Sequence, residues 1–201
     1  MIKKISIGAL IGVFALIVLM FGLEIYSKIS ALGSLDDVPA QYSYGPADAD
    51  LSVVEFVKYT CPYCRDVHDT IMEAVERDGN VLYVPRVLPT VGLKDAQMSY
   101  AAGKQGLFKL AHGALLKDPR IMEEDGLMSI ADTLGFDQVQ LEKDMQDDEI
   151  IDQINDNITL FHAVGAKATP TFVIGGDIIY TPEDRMPSVE DFLAMFEEAR
   201  Q

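Results

Sequence analysis

Cysteine is scarce in this sequence: among 201 residues it occurs only at positions 61 and 64. A disulfide between two cysteines so close together closes a very small loop, which restricts the unfolded chain too little to stabilise a fold. Because no third cysteine is available for pairing, a structural disulfide is excluded. The two cysteines must therefore be explained by their reactivity.

Basic residues are also in short supply. The chain has 16 lysines and arginines against 32 aspartates and glutamates, and its net charge is −16 at pH 7. A surface this acidic repels a phosphate backbone, so nucleic acid is disfavoured as a partner. About 150 residues follow position 50, which is enough to bury one hydrophobic core without cross-links.

Charge is absent from residues 5–23, which form one apolar run of 19 residues. As a helix this run is about 28 Å long and matches the hydrocarbon thickness of a bilayer, about 30 Å. Lys3 and Lys4 precede it, so residues 1–4 are expected in the cytoplasm and everything after Leu23 on the outer side. The sequence therefore predicts a transmembrane anchor over residues 5–23.

A cleaved signal peptide is the alternative to an anchor. Such peptides have an apolar stretch of about 7–15 residues that ends near a small-x-small site. The run here is longer, and the best such site, Ala31-Leu32-Gly33, lies well beyond its end. An uncleaved anchor is favoured, and lipid attachment is excluded because no cysteine lies nearby. In either case the remaining chain is exported to a compartment where disulfides persist.

Residues 24–50 show no sustained hydrophobic period and contain the turn-forming pairs Gly33-Ser34 and Gly45-Pro46. This composition predicts a linker. Its apolar residues Val38, Tyr42 and Tyr44 either pack on the edge of the following domain or face solvent, and the pattern does not decide between the two.

Residues 51–201 divide into three stretches by hydrophobic periodicity. The predicted strands are 51–58, 81–88, 171–174 and 178–180, with a helix over 65–77 between the first two and a closing helix over 189–200. Between the second and third strands, from about 94 to 164, apolar residues recur every three or four positions and predict three or four helices. The last two strands flank Gly175-Gly176-Asp177, which indicates a hairpin.

The cysteine pair lies where the first strand gives way to the first helix. Pro62 suits the first helical position, where no amide hydrogen is needed, so Cys61 falls at or next to the N-cap. The free amides and the helix dipole at that end stabilise a thiolate and lower the pKa of Cys61 from about 8.5. With Cys64 one turn further on, one sulfur can attack and the other can resolve. The pattern predicts thiol–disulfide exchange, with Cys61 as nucleophile and Cys64 as the shielded resolving thiol.

Two motifs in this order resemble the DsbA-like thiol:disulfide oxidoreductases of the bacterial envelope, members of the thioredoxin superfamily: Cys61-Pro62-Tyr63-Cys64 and Ala168-Thr169-Pro170-Thr171. The resemblance runs from Gly45 to the C-terminus. It implies an α/β thioredoxin fold over residues 51–201, with a helical subdomain inserted at about 94–164.

The resemblance also implies roles for residues around the cysteines. Pro62, Tyr63, Thr169 and Pro170 are expected to bind substrate. The Thr169–Pro170 bond is expected to be cis, which turns the backbone of Thr169 toward the cysteines. An ordinary trans turn is the alternative. No cofactor is implied.

Glu55 is an acid inside an apolar strand, where it should point to the face opposite Val54 and Phe56. The resemblance places an acid at this position beneath the buried cysteine, where it relays the proton of Cys64. Glu55 is therefore a third predicted catalytic residue. The alternative is that it reaches solvent or pairs with Lys58.

Histidine suggests a metal site only weakly. His68 follows Cys64 by four residues, so a zinc site made by the two cysteines and His68 is conceivable, but no fourth ligand is apparent and no metal is predicted. His112 and His162 are interpreted as polar edges of helices in the insertion.

Three functions fit these residues. The first is a dithiol oxidase, anchored in a bacterial inner membrane with its catalytic domain facing the periplasm or cell exterior, that oxidises exported cysteine-containing proteins and is reoxidised by a membrane redox partner. The second is a tethered reductase or isomerase, and the third is a chaperone or adaptor with a vestigial cysteine pair. Tyr63 stands where the most oxidising relatives have histidine, so the expected reduction potential lies between those of thioredoxin and the strongest oxidants.

Overall fold

The computed structural model describes residues 33–92, 94–123 and 125–201, together with residues 14, 16, 18–20, 22 and 23. Most of the predicted anchor over residues 5–23 therefore lies outside the described residues, as do residues 1–4 and 24–32. The described positions between 14 and 23 are helical and exposed. Within the described part of the chain, no helix is both long and apolar enough to cross a bilayer.

Four strands are present in the described residues: β1 Leu51–Val57, β2 Val81–Val87, β3 Thr171–Ile174 and β4 Ile178–Tyr180. In the described residues from 33 onward, seven α-helices accompany them: α1 Pro62–Asp78, α2 Asp95–Lys104, α3 Phe108–Lys117, α4 Gly126–Thr133, α5 Gln138–Asp144, α6 Asp148–Ala163 and α7 Val189–Ala199. Two short 3-10 helices cover Ala40–Tyr42 and Pro119–Met122.

The insertion contains five α-helices where the sequence pattern predicted three or four. Gly106 and Gly135 have φ values of 75° and 72°, in the left-handed region that suits the position just after a helix, and they separate α2 from α3 and α4 from α5. Asp147 then caps α6 by accepting a hydrogen bond from the Glu149 amide. Hydrophobic spacing alone merges such short helices, because it continues across their breaks.

The sheet has the strand order β2-β1-β3-β4. β1 and β2 are parallel, with Val57 opposite Val87, whereas β3 is antiparallel to both β1 and β4. The carboxyl ends of β1 and β2 therefore meet at one edge of the sheet. This arrangement confirms the predicted α/β thioredoxin fold with a helical subdomain inserted between β2 and β3.

Both faces of β1 are covered, which suits a strand whose residues are mostly apolar. On one face, Val53 belongs to a core with side chains of α1 and α7. On the other, Val54 and Phe56 pack with Leu160 and Val164 at the end of α6. A third core fills the insertion and also includes Cys64, so the packing of the insertion extends to α1.

The predicted linker over residues 24–50 is packed on the domain from Gly33 onward. Leu35 and Tyr42 are buried, and the backbone of Tyr44 exchanges two hydrogen bonds of 2.8 and 2.9 Å with Tyr83 in β2. Burial of these apolar side chains makes residues 33–50 part of the folded domain. This outcome settles the alternative that the sequence left open for this segment.

Arg86 of β2 fixes this segment from inside the protein. The residue is 2% exposed, and its guanidinium donates to the carbonyl oxygens of Ser34, Leu35 and Asp37 at 2.7, 2.9 and 3.0 Å. A fourth hydrogen bond of 3.2 Å goes to the side-chain oxygen of Asn157 in α6. The arginine thus joins the segment, the sheet and the insertion.

Replacing Arg86 should test whether these hydrogen bonds stabilise the fold. We expect Arg86→Leu to lower the free energy of unfolding by about 2–4 kcal/mol, because four acceptors lose a donor and two of them, the Leu35 carbonyl and the Asn157 side chain, are buried. Arg77 is the control: it is half exposed and pairs with Glu73 and Glu190 on the surface, so Arg77→Leu should cost no more than about 0.5 kcal/mol. Urea denaturation measures the free energy of unfolding of both variants, and equal losses would contradict the role of Arg86 in holding residues 34–37 on the domain.

Candidate active site

The start of α1 positions the two sulfurs differently. Cys61 is the N-cap residue, with Pro62 at the first helical position, as predicted from the sequence. Cys61 is partly exposed, whereas Cys64 is fully buried, and both are free thiols. The accessible sulfur therefore lies at the helix end that carries unpaired amides.

The surroundings of Cys61 favour its thiolate and lower its pKa to about 5. The largest cause is a hydrogen bond from the Cys64 thiol; hydrogen bonds from the Thr169 side chain and from the amides of Cys64 and Tyr63 add to it, while partial burial opposes it. The Thr169 carbonyl also opposes it, because this oxygen accepts a 3.1 Å hydrogen bond from the protonated Cys61 thiol. The hydrogen bonds donated to the sulfur outweigh these opposing effects, so the pKa of Cys61 remains low.

The pKa of Cys64 is shifted in the opposite direction. Burial, the hydrogen bond to Cys61 and the charge of Glu55 all raise the pKa of its thiol far above the ordinary value. Cys64 therefore keeps its proton and remains a donor to Cys61. The same pair of thiols is thus divided into one ionised and one protonated sulfur at neutral pH.

Glu55 lies in β1, on the face opposite Val54 and Phe56, as predicted. It is 1% exposed and accepts a very short hydrogen bond from the Tyr83 hydroxyl. Burial raises the pKa of its carboxyl to about 8, against the effect of Tyr83 and with a further contribution from Cys61. The alternative in which Glu55 reaches solvent is wrong, because the sheet and the helices cover it.

The segment before β3 completes the site from a distant part of the chain. The Thr169–Pro170 bond is cis, as the resemblance implied, and Pro170 is buried. The Thr169 carbonyl contacts the sulfur of Cys61, 108 residues away in sequence. Tyr63 is 60% exposed, so its ring lies on the surface beside the accessible cysteine.

A hydrogen-bonded chain beside the site was not predicted from the sequence. The hydroxyl oxygens of Thr60 and Thr90 are 3.0 Å apart, and Thr90 in turn donates to the carboxylate of Asp95 at 2.8 Å. Asp95 is fully buried and also accepts from the amides of Thr90 and Ala96. The chain ties the loop after β2 to the residue preceding Cys61. An acid at the first position of α2 is the only sequence signal for it.

The histidines differ from the sequence interpretation. His112 is not a polar edge: it is fully buried, its Nδ1 is 3.0 Å from the Tyr59 hydroxyl, and its ring packs 5.4 Å from that of His68 and 5.6 Å from that of Phe108. Burial lowers the pKa of both His68, to about 4, and His112. His162 is exposed. In the described ranges, no group of three or more His, Cys, Asp or Glu residues is arranged to hold a metal ion.

Comparison with known proteins agrees with this geometry. The family model described as Thioredoxin matches residues 37–197. A thioredoxin-like oxidoreductase from Silicibacter pomeroyi superimposes with a TM-score of 0.74 and 30% identity, over 83% of this chain and 96% of that one. The chain therefore belongs to the thioredoxin family, and its fold and thiol pair define a thiol–disulfide oxidoreductase.

Other solved structures confirm the DsbA-like fold. The thiol–disulfide exchange protein α-DsbA2 of Wolbachia pipientis has a TM-score of 0.72 and 22% identity, over 86% of this chain and 94% of that one. The catalytic domain of Proteus mirabilis ScsC has a TM-score of 0.71 and 19% identity, over 87% and 97%.

Curated relatives are much longer proteins. The Na(+)/H(+) antiporter NhaA of Herminiimonas arsenicoxydans is 32% identical over 135 residues, which is 66% of this chain and 22% of the antiporter. An NhaA of Salinispora arenicola is 28% identical over 66% of this chain and 21% of its own length. The chain thus spans about a fifth of the length of these relatives.

The hydrogen bond between the two cysteines generates a prediction about acidity. We expect Cys61 to titrate near pH 5 in the reduced protein. In Cys64→Ala it should titrate at least about one pH unit higher, because the main donor to the thiolate is removed. In Cys64→Ser it should stay closer to the wild type, since a hydroxyl can still donate. Thiolate absorbance against pH measures all three, and identical values would contradict the assigned cause.

Glu55 generates a prediction about stability. Its folded pKa of about 8 exceeds the ordinary 4.5, so the folded protein keeps a proton that the unfolded chain loses. The contribution of Glu55 to stability is therefore present below pH 4.5 and is lost as the pH rises toward 8. Between pH 5 and pH 8, Glu55→Gln should gain stability relative to the wild type by on the order of 2–4 kcal/mol.

Urea denaturation of the reduced proteins at the two pH values checks this expectation. The Cys61 thiolate acts in the opposite direction, since its lowered pKa raises stability as the pH rises, but it is shared by both proteins and leaves the comparison intact. Glu76→Gln, at an exposed position of α1, is the control and should follow the wild type. Parallel pH profiles for Glu55→Gln and the wild type would show that Glu55 is ionised in the fold.

Proposed function

We propose that this protein is a dithiol oxidase of the cell envelope, which transfers a Cys61–Cys64 disulfide to exported proteins that contain cysteine pairs. The observation that carries this proposal is the position of a partly exposed Cys61 at the N-cap of α1 beside a buried Cys64, an arrangement that lowers the pKa of Cys61 and keeps the proton on Cys64. A stabilised thiolate favours the reduced form of the pair, which makes the corresponding disulfide a better oxidant.

The reaction consists of two exchanges. A client thiolate attacks the sulfur of Cys61, the more exposed of the two; a client–Cys61 disulfide forms, and the bond to Cys64 breaks. Cys64 leaves with the electron pair and takes up a proton. The second client thiolate then attacks the client sulfur and releases Cys61 as a thiolate, which is a good leaving group at its low pKa. The client dithiol is oxidised by two electrons and the enzyme disulfide is reduced by two.

Glu55 is the proton donor to Cys64 in this proposal. With a pKa of about 8, its carboxyl is largely protonated at neutral pH and has a proton to give when Cys64 leaves. Its charge raises the pKa of the Cys64 thiol, so a proton given up by Glu55 is bound more firmly at Cys64. The bond from Tyr83 orients the carboxyl group.

Pro62, Tyr63, Thr169 and Pro170 are proposed to hold the client. The Thr169 carbonyl lies 3.1 Å from the sulfur of Cys61, where an extended client segment can pair with the backbone as an added strand. Tyr63 offers an exposed ring next to the reacting sulfur. These contacts require no cofactor.

Location and redox partner belong to the same proposal. The uncharged run over residues 5–23, preceded by Lys3 and Lys4, supports a single-pass anchor in a bacterial inner membrane, with the catalytic domain facing the periplasm or the cell exterior. An anchored oxidase passes the two electrons to a redox partner in the same membrane.

A tethered reductase or isomerase is the second candidate, and Tyr63 favours it. A phenol brings no positive charge to the thiolate, where the strongest oxidants carry histidine. The reduction potential is therefore expected between about −270 mV, as in thioredoxin, and about −120 mV, as in the strongest oxidants.

The roles of the cysteines predict two distinct phenotypes. Cys61→Ser should abolish disulfide exchange with a reduced client protein, because the accessible sulfur is gone. Cys64→Ser should accumulate covalent adducts with a client that carries a disulfide, since Cys61 can still attack that disulfide but position 64 has no thiol to release the client. Non-reducing electrophoresis distinguishes the two variants. Full activity in either one would refute the assignment, and a failure of the wild type to reduce insulin would favour the chaperone or adaptor alternative.

Thiol trapping in cells decides between oxidase and reductase. A pair that is mainly oxidised supports the oxidase, whereas a pair kept reduced identifies the reductase or isomerase. Equilibration with glutathione gives the potential, and a value outside the interval above would contradict the inference from Tyr63.

A further inference from the structure

A groove of about 700 Å³ opens on the helical insertion, outside the residues assigned to the redox reaction. It begins at the loop after β2 and runs over the segment between α3 and α4 to the end of α5.

The near end of the groove lies close to the reactive sulfur. Thr60, next to Cys61, is joined to Thr90 by the 3.0 Å contact between hydroxyl oxygens, and Gly92 follows two residues later. With about 3.8 Å between consecutive Cα atoms, this connection places Gly92 within about 20 Å of Cys61. About six residues of extended polypeptide are therefore enough to reach the near end of the groove from Cys61. Val91, between these points, is fully exposed and apolar.

The apolar part of the groove is made of flexible side chains. Met122 is 69% exposed, and Met128, Met145 and Leu127 lie deeper. Met128, in α4, lines this open groove. Methionine adapts its shape to different apolar partners, which suits a surface that accepts many sequences.

Charge selects the kind of partner. Three acids, Glu123, Asp125 and Glu142, line the groove against one base, Lys94. This excess attracts lysine and arginine and repels acidic segments. It also disfavours a second copy of this chain, whose net charge is −16.

We propose that this groove binds the client polypeptide, at a segment where an apolar side chain is flanked by lysine or arginine, about six residues from the reacting cysteine. This inference rests on the proposed function and specifies its substrate class. The thiol site exchanges the disulfide, and the groove raises the local concentration of clients that carry such a segment.

The test uses the full-length protein in its oxidised form and three synthetic dithiol peptides. Each carries, six residues from its first cysteine, a leucine between arginines, a leucine between glutamates, or a serine between arginines. We expect kcat/KM to be at least about fivefold higher for the first peptide than for either other one. The advantage of arginine over glutamate should shrink at high salt.

Two pairs of variants separate the groove from general electrostatics. Glu142→Lys and Asp152→Lys change the net charge equally, but Asp152 is an exposed residue of α6 outside the groove. Met122→Ser and Val139→Ser each remove one exposed apolar side chain, and only Met122 lines the groove. Glu142→Lys should lower kcat/KM for the first peptide about fivefold. Met122→Ser should remove most of the advantage that the first peptide has over the serine peptide. Both control variants should behave as the wild type.

Exchange with glutathione, which is too short to reach the groove, keeps the two proposals apart. All variants should exchange disulfides with glutathione at the wild-type rate. If the wild type itself does not react with glutathione, the proposed function fails. If glutathione reacts normally but the three peptides react alike, or the members of each variant pair behave alike, the groove inference is overturned and the redox function stands. A second copy of this chain is the other possible occupant of the groove, and sedimentation of the wild type and Met122→Ser tests it. A wild-type dimer that dissociates on this substitution would assign the groove to a second copy and overturn the proposal.

Discussion

The interaction of the buried Cys64 thiol with the sulfur of Cys61 is the one on which the site depends, because it is the largest cause of the lowered pKa of Cys61. It exists because Pro62 starts α1 immediately after Cys61, which places the second sulfur one turn further along the same helix. It has a fixed direction because burial keeps the proton on Cys64. The thiolate at the surface is thus a consequence of the thiol in the interior.

Burial of Cys64 in turn depends on the insertion. Cys64 shares a core with apolar side chains of α2 to α6, so the helical subdomain supplies the apolar surroundings that the thioredoxin sheet alone leaves open at this end. The insertion also contributes Asp95, whose bonds to Thr90 reach the residue before Cys61. One subdomain therefore shields the inner sulfur, holds the neighbouring loop and forms the groove beside it.

Several ionisable groups are buried near this end of the sheet, and each is held in a particular protonation state. Glu55 keeps its proton into the neutral range, while His68 and His112 lose theirs. The acids that give the chain its large negative charge lie mostly on the surface, where water and lysine or arginine partners surround them. This separation places a proton donor under the thiols without adding a second negative charge there at neutral pH.

Local sequence signals predicted the elements that local physics controls. Alternating and continuous apolar runs located all four strands to within one residue, and Pro62 located the start of α1. The breaks inside the insertion were harder, because short helices separated by Gly106 and Gly135 share one continuous apolar period. Residues 33–50 were ambiguous for a related reason: their few apolar side chains become buried only when Arg86 and the sheet edge are present.

The sequence by itself determined the chemistry of this protein: a pair of thiols at a helix start, an acid in the adjoining strand and a proline before a later strand, because spacing along the chain sets those relations. Tertiary structure decided which groups are buried, and burial sets their proton affinity. It placed Thr169 against Cys61 and made His112 an interior residue. It also joined Asp95 to the active-site loop and opened a groove beside it, contacts that no local pattern encodes because their partners are far apart in the chain.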